Sequence, residues 1–366
     1  MINLISVFCV YTKLETVSEK TLIGRLRRYF LIYFETFSVP TADSLFLLIL
    51  SILALESAHS IRFLYHHFLS GITKRSLNVF YYACSYAKVD YSNFMNITAC
   101  TALKLIPDPL KSHPVFLCID DTMVSKFGKK FENVSKLFDH AAHNGSNYLN
   151  GHCFVSIMLC VPVLDHDKIS YLSVPLGYRM WQPNLDLIGN ARIDSVMYDL
   201  APERTGRRGR PAKHGKRLFF STIFSEDLKV FCTEEEHSSS DQTEHVPINY
   251  IPLLLYAFRW KIEISYYGQK TFWSFCDYMV RSRNGIEMLV NLINISYCAM
   301  KILPYQDKYF SKYHTKSVQE FRFELSQEIR KQIFFATFVK NIETHIKSET
   351  MIKALKQLIC QQVCHL

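Results

Sequence analysis

The chain has 366 residues, 49% of them hydrophobic and 14% aromatic, with only 12 glycines and 12 prolines. That composition excludes a disordered, collagen-like or low-complexity protein and supplies enough apolar surface for one large or two medium cores. The 42 Lys and Arg against 33 Asp and Glu leave a formal charge of +9, a moderate basic excess that suits a polyanionic partner.

Residues 1–112 read as a helical N-terminal region. The apolar run 3–10 has no basic start and no small-residue cleavage site, which argues against a secretory signal. Pro40 to Asp43 looks like a helix start. The apolar run 45–55 that follows, bounded by Asp43 and Glu56, is too short for a bilayer and reads as a buried helix. Residues 57–69 and 73–88 read as two helices joined by Ser70, Gly71 and Ile72, with Thr73 as an N-cap. With Lys74 and Arg75 at the joint, the pair is either a helix-turn-helix unit that reads DNA or part of an ordinary bundle.

Chain character changes at Pro114. The run 115–119 is continuously apolar, as a strand buried on both faces would be. It ends in Asp120, Asp121 and Thr122. Two carboxylates at the end of a buried strand are costly unless a metal, a base or water meets them. The carboxyl end of such a strand is also where sites form in open α/β sheets. An acidic pair that opens a turn is the alternative. Lys129 and Lys130, just after Gly128, can reach a phosphate. Residues 152–163 read as a second strand, 165–168 as a hairpin turn and 169–175 as a third strand. Turn chemistry accounts for Asp165, His166 and Asp167 better than a metal does. His140 and His143, before the turn at Asn144 and Gly145, read as structural.

Residues 204–217 hold seven Lys and Arg and no acid. Glycines and Pro211 forbid a regular helix there, so Arg207, Arg208, Arg210 and Lys213 sit on an extended arm. The arm either inserts arginines into a narrow A·T minor groove, grips phosphates as a loop, or is a solvated charge run. Residues 218–224 read as a short strand and 233–245 as a polar, acidic loop. Farther on, Tyr256, Arg259, Glu263 and Lys270 stand at offsets 0, 3, 7 and 14, within roughly 60° of one another on a helix. A face carrying a phenol, a guanidinium, an acid and an amine is built to meet something charged and wet. Asn284 and Gly285 punctuate before an apolar helix over 286–302. From Lys316 onward the chain reads as helical, with Ser317 and Glu320 at its start. The 11 cysteines form no C-x-x-C pair and no zinc spacing, which fits a reduced protein with buried thiols.

The spacing Tyr-x2-Arg-x3-Glu-x6-Lys, together with the acidic pair before Thr122, resembles the DDE-type bacterial transposases of the insertion-sequence-four group. The resemblance covers roughly residues 115–300 and the rest more loosely. It implies an α/β (α+β) fold, with a ribonuclease-H-like mixed sheet at 113–303 between helical regions at 1–112 and 304–366. It implies hydrolysis and transfer of DNA strands by two Mg²⁺ about 4 Å apart, with Mn²⁺ as a substitute, held by carboxylates. Asp121, or else Asp120, and Glu263 would bind metal. Tyr256, Arg259 and Lys270 would hold the scissile backbone, and the 204–217 arm would hold flanking DNA. The partners implied are double-stranded DNA at the transposon ends and the target, with the chain a homodimer on DNA. The protein would be cytoplasmic and nucleoid-associated, with no membrane partner.

In that family another carboxylate ends a fourth buried strand, reached by a helical crossover. Such a crossover needs about a dozen residues, and no helix fits between Pro175 and Leu185. The chain therefore reads as having lost one helix-plus-strand unit, on the order of 30 residues, near Gln182 and Pro183. Loss of that ligand would leave this copy inactive or crippled, with Asp186 and Asp194 as the residues able to replace it. A non-catalytic DNA-binding remnant is the alternative function. A metal-dependent phosphatase is a third, disfavoured because a small ester needs no arm of seven cations.

Overall fold

A computed structural model describes residues 21–55, 60–128, 130–138, 148–165, 168–181, 197–198, 217–218 and 251–346. Helix α1 (Leu22–Leu31) starts at Thr21, whose hydroxyl accepts from the Gly24 N–H. Helix α2 (Val39–Ala54) carries Pro40 in its first turn, where a missing N–H costs nothing. Its residues from Ala42 on are buried, as the apolar run predicts. Helix α3 runs Ile61–Leu64, through a π-helical turn at Tyr65–Leu69, and on into Ser70–Ile72. Here the structure corrects the sequence reading. Ser70, Gly71 and Ile72 complete a helix instead of joining two, and the joint falls at 73–76. The Thr73 hydroxyl accepts from the Arg75 N–H, so it shapes the turn, and Thr73 is the C-cap of α3 instead of an N-cap. Helix α4 (Leu77–Tyr86) begins after Ser76. Helix α5 (Tyr91–Leu103), capped by Asp90, comes after both predicted helices.

Four antiparallel strands follow: β1 (Phe116–Ser125), β2 (Ser135–Phe138), β3 (Tyr148–Asp165) and β4 (Lys168–Met180). The long β3 lies in the middle. β1 pairs along one edge of it, from Phe116↔Cys160 to Ser125↔Gly151. β2 and β4 share the other edge, opposite residues 148–151 and 154–165 of β3. Where β1 and β2 both meet β3, a Cβ on Gly151 would stand 2.1 Å from the Val124 carbonyl oxygen, so only glycine fits.

β1 differs from its prediction. Cys118, Thr122 and Val124 are buried, but Leu117 and Ile119 are 64% and 59% exposed. The strand is covered on one face, where Phe116 stacks on Phe258 at 4.1 Å, and so it alternates as one-sided antiparallel strands do. Its ladder with β3 runs straight through Asp120 and Asp121, which puts them in mid-strand and not at an end.

Helix α6 (Ile251–Phe272) supplies Phe258. Helix α7 (Arg283–Gln306) is capped by Ser282, whose hydroxyl accepts from the Gly285 N–H, so Asn284 and Gly285 lie inside its first turn. Among the described residues α7 alone is long and apolar enough to cross a membrane by length and composition, and 94% of that apolar window is buried within the fold.

Its inner stripe is polar. The Asn291 amide accepts from the Tyr178 N–H and donates to the Tyr178 carbonyl, both at 2.9 Å. The Glu287 carboxylate accepts from the Met180 N–H at 2.8 Å. Asn294 and Cys298 both donate to the Pro175 carbonyl at 2.9 Å, and the Lys301 ammonium donates to the Ser173 carbonyl at 2.7 Å. These side chains give the outer edge of β4 the partners that another strand would give.

Helix α8 (Val318–Ile346) begins where the sequence predicts, and Ser317 and Glu320 form a reciprocal box there: Glu320 N–H to the serine hydroxyl at 3.2 Å, and Ser317 N–H to the carboxylate at 2.8 Å. Arg322, 2% exposed, donates to the carbonyls of Ile52 and Leu55 at the end of α2 and of Phe272 at the end of α6. Its guanidinium lies 4.1 Å from the Trp273 ring centroid. Cationic donors at helix C-termini satisfy orphan carbonyls and complement the helix dipole.

These helices and the four-stranded sheet form one compact unit, with α6 joining it from Leu254 on. It is an α+β arrangement. A second unit, within residues 184–253, is described by the short pair β5 (Met197–Tyr198) and β6 (Arg217–Leu218). The predicted strand at 218–224, apart from Leu218, and the polar loop at 233–245 lie outside the described residues. The described cysteines are free thiols, most of them buried.

Candidate functional site

The most chemically loaded point in the described chain is where α6 crosses β1. Arg259 sits one turn before Glu263, and the two pair at 2.5 Å, as i, i+4 neighbours can. The other nitrogen of the same guanidinium reaches the Asp120 carboxylate at 3.0 Å. One cation thus joins two acids, one from the strand and one from the helix. Two further side chains of α6 fasten the helix to the strand backbone. The Tyr266 hydroxyl donates to the Asp120 carbonyl at 2.8 Å, and the Lys270 ammonium donates to the Met123 carbonyl at 2.9 Å.

Burial raises the pKa of Asp120. The Asp121 N–H and the Arg259 charge pull it back down, while the charges of Asp121 and Glu263 push it up further. Net, Asp120 holds its proton more tightly than an ordinary carboxylic acid. Asp121 lies on the opposite pleat, exposed, and its carboxylate accepts from the Cys153 thiol at 3.1 Å. Burial first, and then that bond, push the Cys153 thiol up.

The structure therefore brings Asp120, Arg259 and Glu263 together, with Lys270 farther along the same helix and strand. It turns Asp121 to the other face. Tyr256 has its backbone within α6, and its side chain lies outside the description. Arg207, Arg208, Arg210, Lys213, Asp186 and Asp194 lie outside the described residues altogether. Lys129 does too. Tyr266 was not singled out in the sequence, yet a signal was there: 259, 263, 266 and 270 recur at i, i+4, i+7 and i+11, the stripe of one helix face.

Chemically, Asp120 and Glu263 offer hard oxygen donors at one point, the donor type that Mg²⁺ or Mn²⁺ takes. The guanidinium sits between them. Among the described residues no group of three or more His, Cys, Asp or Glu stands close enough to hold a metal ion. The pair fits one divalent ion in part and falls short of a two-ion site. The chain matches no protein-family profile, no curated protein and no solved structure.

Proposed function

We propose that the chain is a DNA-acting protein of the Tyr-Arg-Glu-Lys transposase type, built on an incomplete ribonuclease-H-like sheet. The observation that carries this reading is the convergence of Asp120 and Glu263 on Arg259, since the sequence spacing singles out these same two elements. Support for the fold comes from the three-wide antiparallel β1–β3–β4 arrangement with an acid on its first strand. Asp120 is favoured over Asp121 as the strand's metal ligand, because it shares a cation with Glu263.

In this reading Asp120 and Glu263 would hold a divalent ion, which would supply Lewis acidity at the scissile phosphate. Arg259, shared between the two carboxylates, is the residue that would meet that phosphate. Lys270 and Tyr256 bind the backbone near the cut, and Arg207, Arg208, Arg210 and Lys213 grip the flanking duplex. A homodimer on DNA, located at the nucleoid, belongs to the same reading. With two carboxylates, cleavage is slow or absent while DNA binding persists, which favours a non-catalytic remnant as the second reading.

The test is a strand-cleavage and gel-shift assay with Mg²⁺ on duplexes taken from the flanks of the gene. Cleavage abolished by Glu263→Gln supports catalysis. Binding without cleavage supports the remnant. A chain that binds no duplex overturns both.

A further inference from the structure

A second basic surface lies away from the carboxylate pair. A groove of about 980 Å³ opens between α3, α4 and the start of α7, and Arg62, Tyr81, Tyr86, Glu132, Arg281 and Arg283 are among its lining residues. Among the described residues that line it are three guanidinium groups, of which that of Arg283 also meets the Glu287 carboxylate at 3.8 Å, and one carboxylate, that of Glu132. That carboxylate is occupied by structure: it accepts from the Arg283 N–H at 2.8 Å, while the Glu132 N–H donates to the Arg281 carbonyl at 3.0 Å. Glu132 thus fixes the turn that presents the two arginines. Tyr86 is 71% exposed and lies stacked on Tyr82, itself 65% exposed, with ring centroids 5.0 Å apart and planes 27° apart. The pair makes a flat aromatic step at the edge of a cationic groove.

We propose that this groove binds single-stranded nucleic acid, its arginines on phosphates and Tyr86 under a base. A positive channel with exposed aromatic rings is the combination that holds single strands without sequence preference. An acidic peptide would use the arginines but leave the stacked tyrosines in water. The volume stands at the upper end of the roughly 300–1,000 Å³ typical of small-molecule pockets, room for a short strand.

The site is separate from the Asp120–Glu263 pair. The Lys126 ammonium ties the end of β1 to the carbonyls of Cys276 and Tyr278, just before the groove-lining segment. Asp120 stands six residues earlier on that strand, about 20 Å at 3.3 Å per residue. The groove also reassigns the pair of helices whose joint carries Lys74 and Arg75. Arg75, half-buried, is tied to the start of α2 by the Pro40 carbonyl at 2.6 Å and the Ser44 hydroxyl at 2.5 Å. The same helices offer Arg62, Tyr81 and Tyr86 elsewhere.

The test is fluorescence anisotropy of the full chain with a labelled oligothymidylate, titrated at several salt concentrations. The Arg62→Ala/Arg281→Ala double variant binds at least about tenfold more weakly, and its salt slope falls by about 1.4, two phosphates at about 0.7 each. Tyr86→Leu weakens binding about fivefold or more and leaves the slope unchanged. Unchanged affinity in both variants overturns the proposal. So does displacement of the oligonucleotide by polyglutamate at equal charge, which assigns the groove to acidic peptides. A thymidylate strand carries no transposon end, so the outcome is independent of cleavage.

Discussion

Replacing Asn291 with leucine tests whether α7 serves β4 as a neighbouring strand would. Asn291 is 2% exposed, and its amide makes both bonds to the Tyr178 backbone, at 2.9 Å each. Leucine has similar bulk and no polar atom. Asn291→Leu therefore strands one N–H and one carbonyl beside Tyr178, itself 1% exposed, where water cannot reach them. Each buried group left unpaired costs about 1–3 kcal/mol, so the pair costs about 2–6 kcal/mol. Burying the leucine side chain returns about 2 kcal/mol, which leaves a net loss of about 2 kcal/mol at the middle of that range and about 4 kcal/mol at its top. Guanidinium unfolding followed by far-UV circular dichroism reads this as a lower midpoint with an unchanged slope. A loss below about 1 kcal/mol, less than a single stranded group costs, would refute the reasoning and mean that the β4 edge finds partners without this helix.

Acid sensitivity is expected from His152. The Glu132 carbonyl can only accept, so Nε2 carries the proton and donates to it at 2.8 Å, and Nδ1 accepts from the Tyr278 hydroxyl at 2.6 Å. Burial lowers the pKa of His152; the Glu132 carbonyl opposes this and the Lys126 charge adds to it. The unfolded chain takes up a proton near pH 6.5 that the folded chain refuses. The His152 contribution is therefore complete above about pH 6.5 and is lost as pH falls below it. Denaturation of His152→Gln at about pH 7.5 and pH 5.5, either side of that value, should show a smaller drop between the two than the parent shows. Asp90→Ala removes the α5 cap, whose carboxylate accepts from the Ser92 N–H at 2.9 Å. It should lower stability by about 1 kcal/mol, and Asp90→Ser should recover most of it; equal losses in thermal melts would deny the cap.

Features decided by neighbours in sequence were readable before the structure. The buried α2 follows from an unbroken apolar run. The helix start at Ser317 and Glu320 and the hairpin after Asp165 depend on residues within one turn of each other. So does the α6 face, because helical spacing alone puts Arg259, Glu263 and Lys270 on one side. What escaped depends on distant chain. Leu117 and Ile119 look like a strand buried twice, and nothing local tells whether a second layer covers them. Gly71 looks like a joint, yet it has the space and φ to continue the helix. Asn291 and Asn294 look like blemishes in an apolar helix until β4 lies beside them. The acidic site was half legible for a similar reason. Spacing identifies the two neighbouring acids and the helix that meets them, but the phase of the pleat decides which of Asp120 and Asp121 turns toward it, and a one-residue shift exchanges them.

Arg322 carries a consequence for how the protein is made. The carbonyls it binds at the end of α2 lie 270 and 267 positions earlier in the chain. At about 5–20 residues per second of translation, α2 leaves the ribosome roughly 15–55 s before its cap exists. Throughout that interval one of the most apolar segments of the chain lacks both its lid and the polar anchor that ends it. The nascent protein is therefore a client for holding chaperones until α8 arrives, and a chain stalled short of that arginine leaves the carbonyls at the end of α2 uncapped.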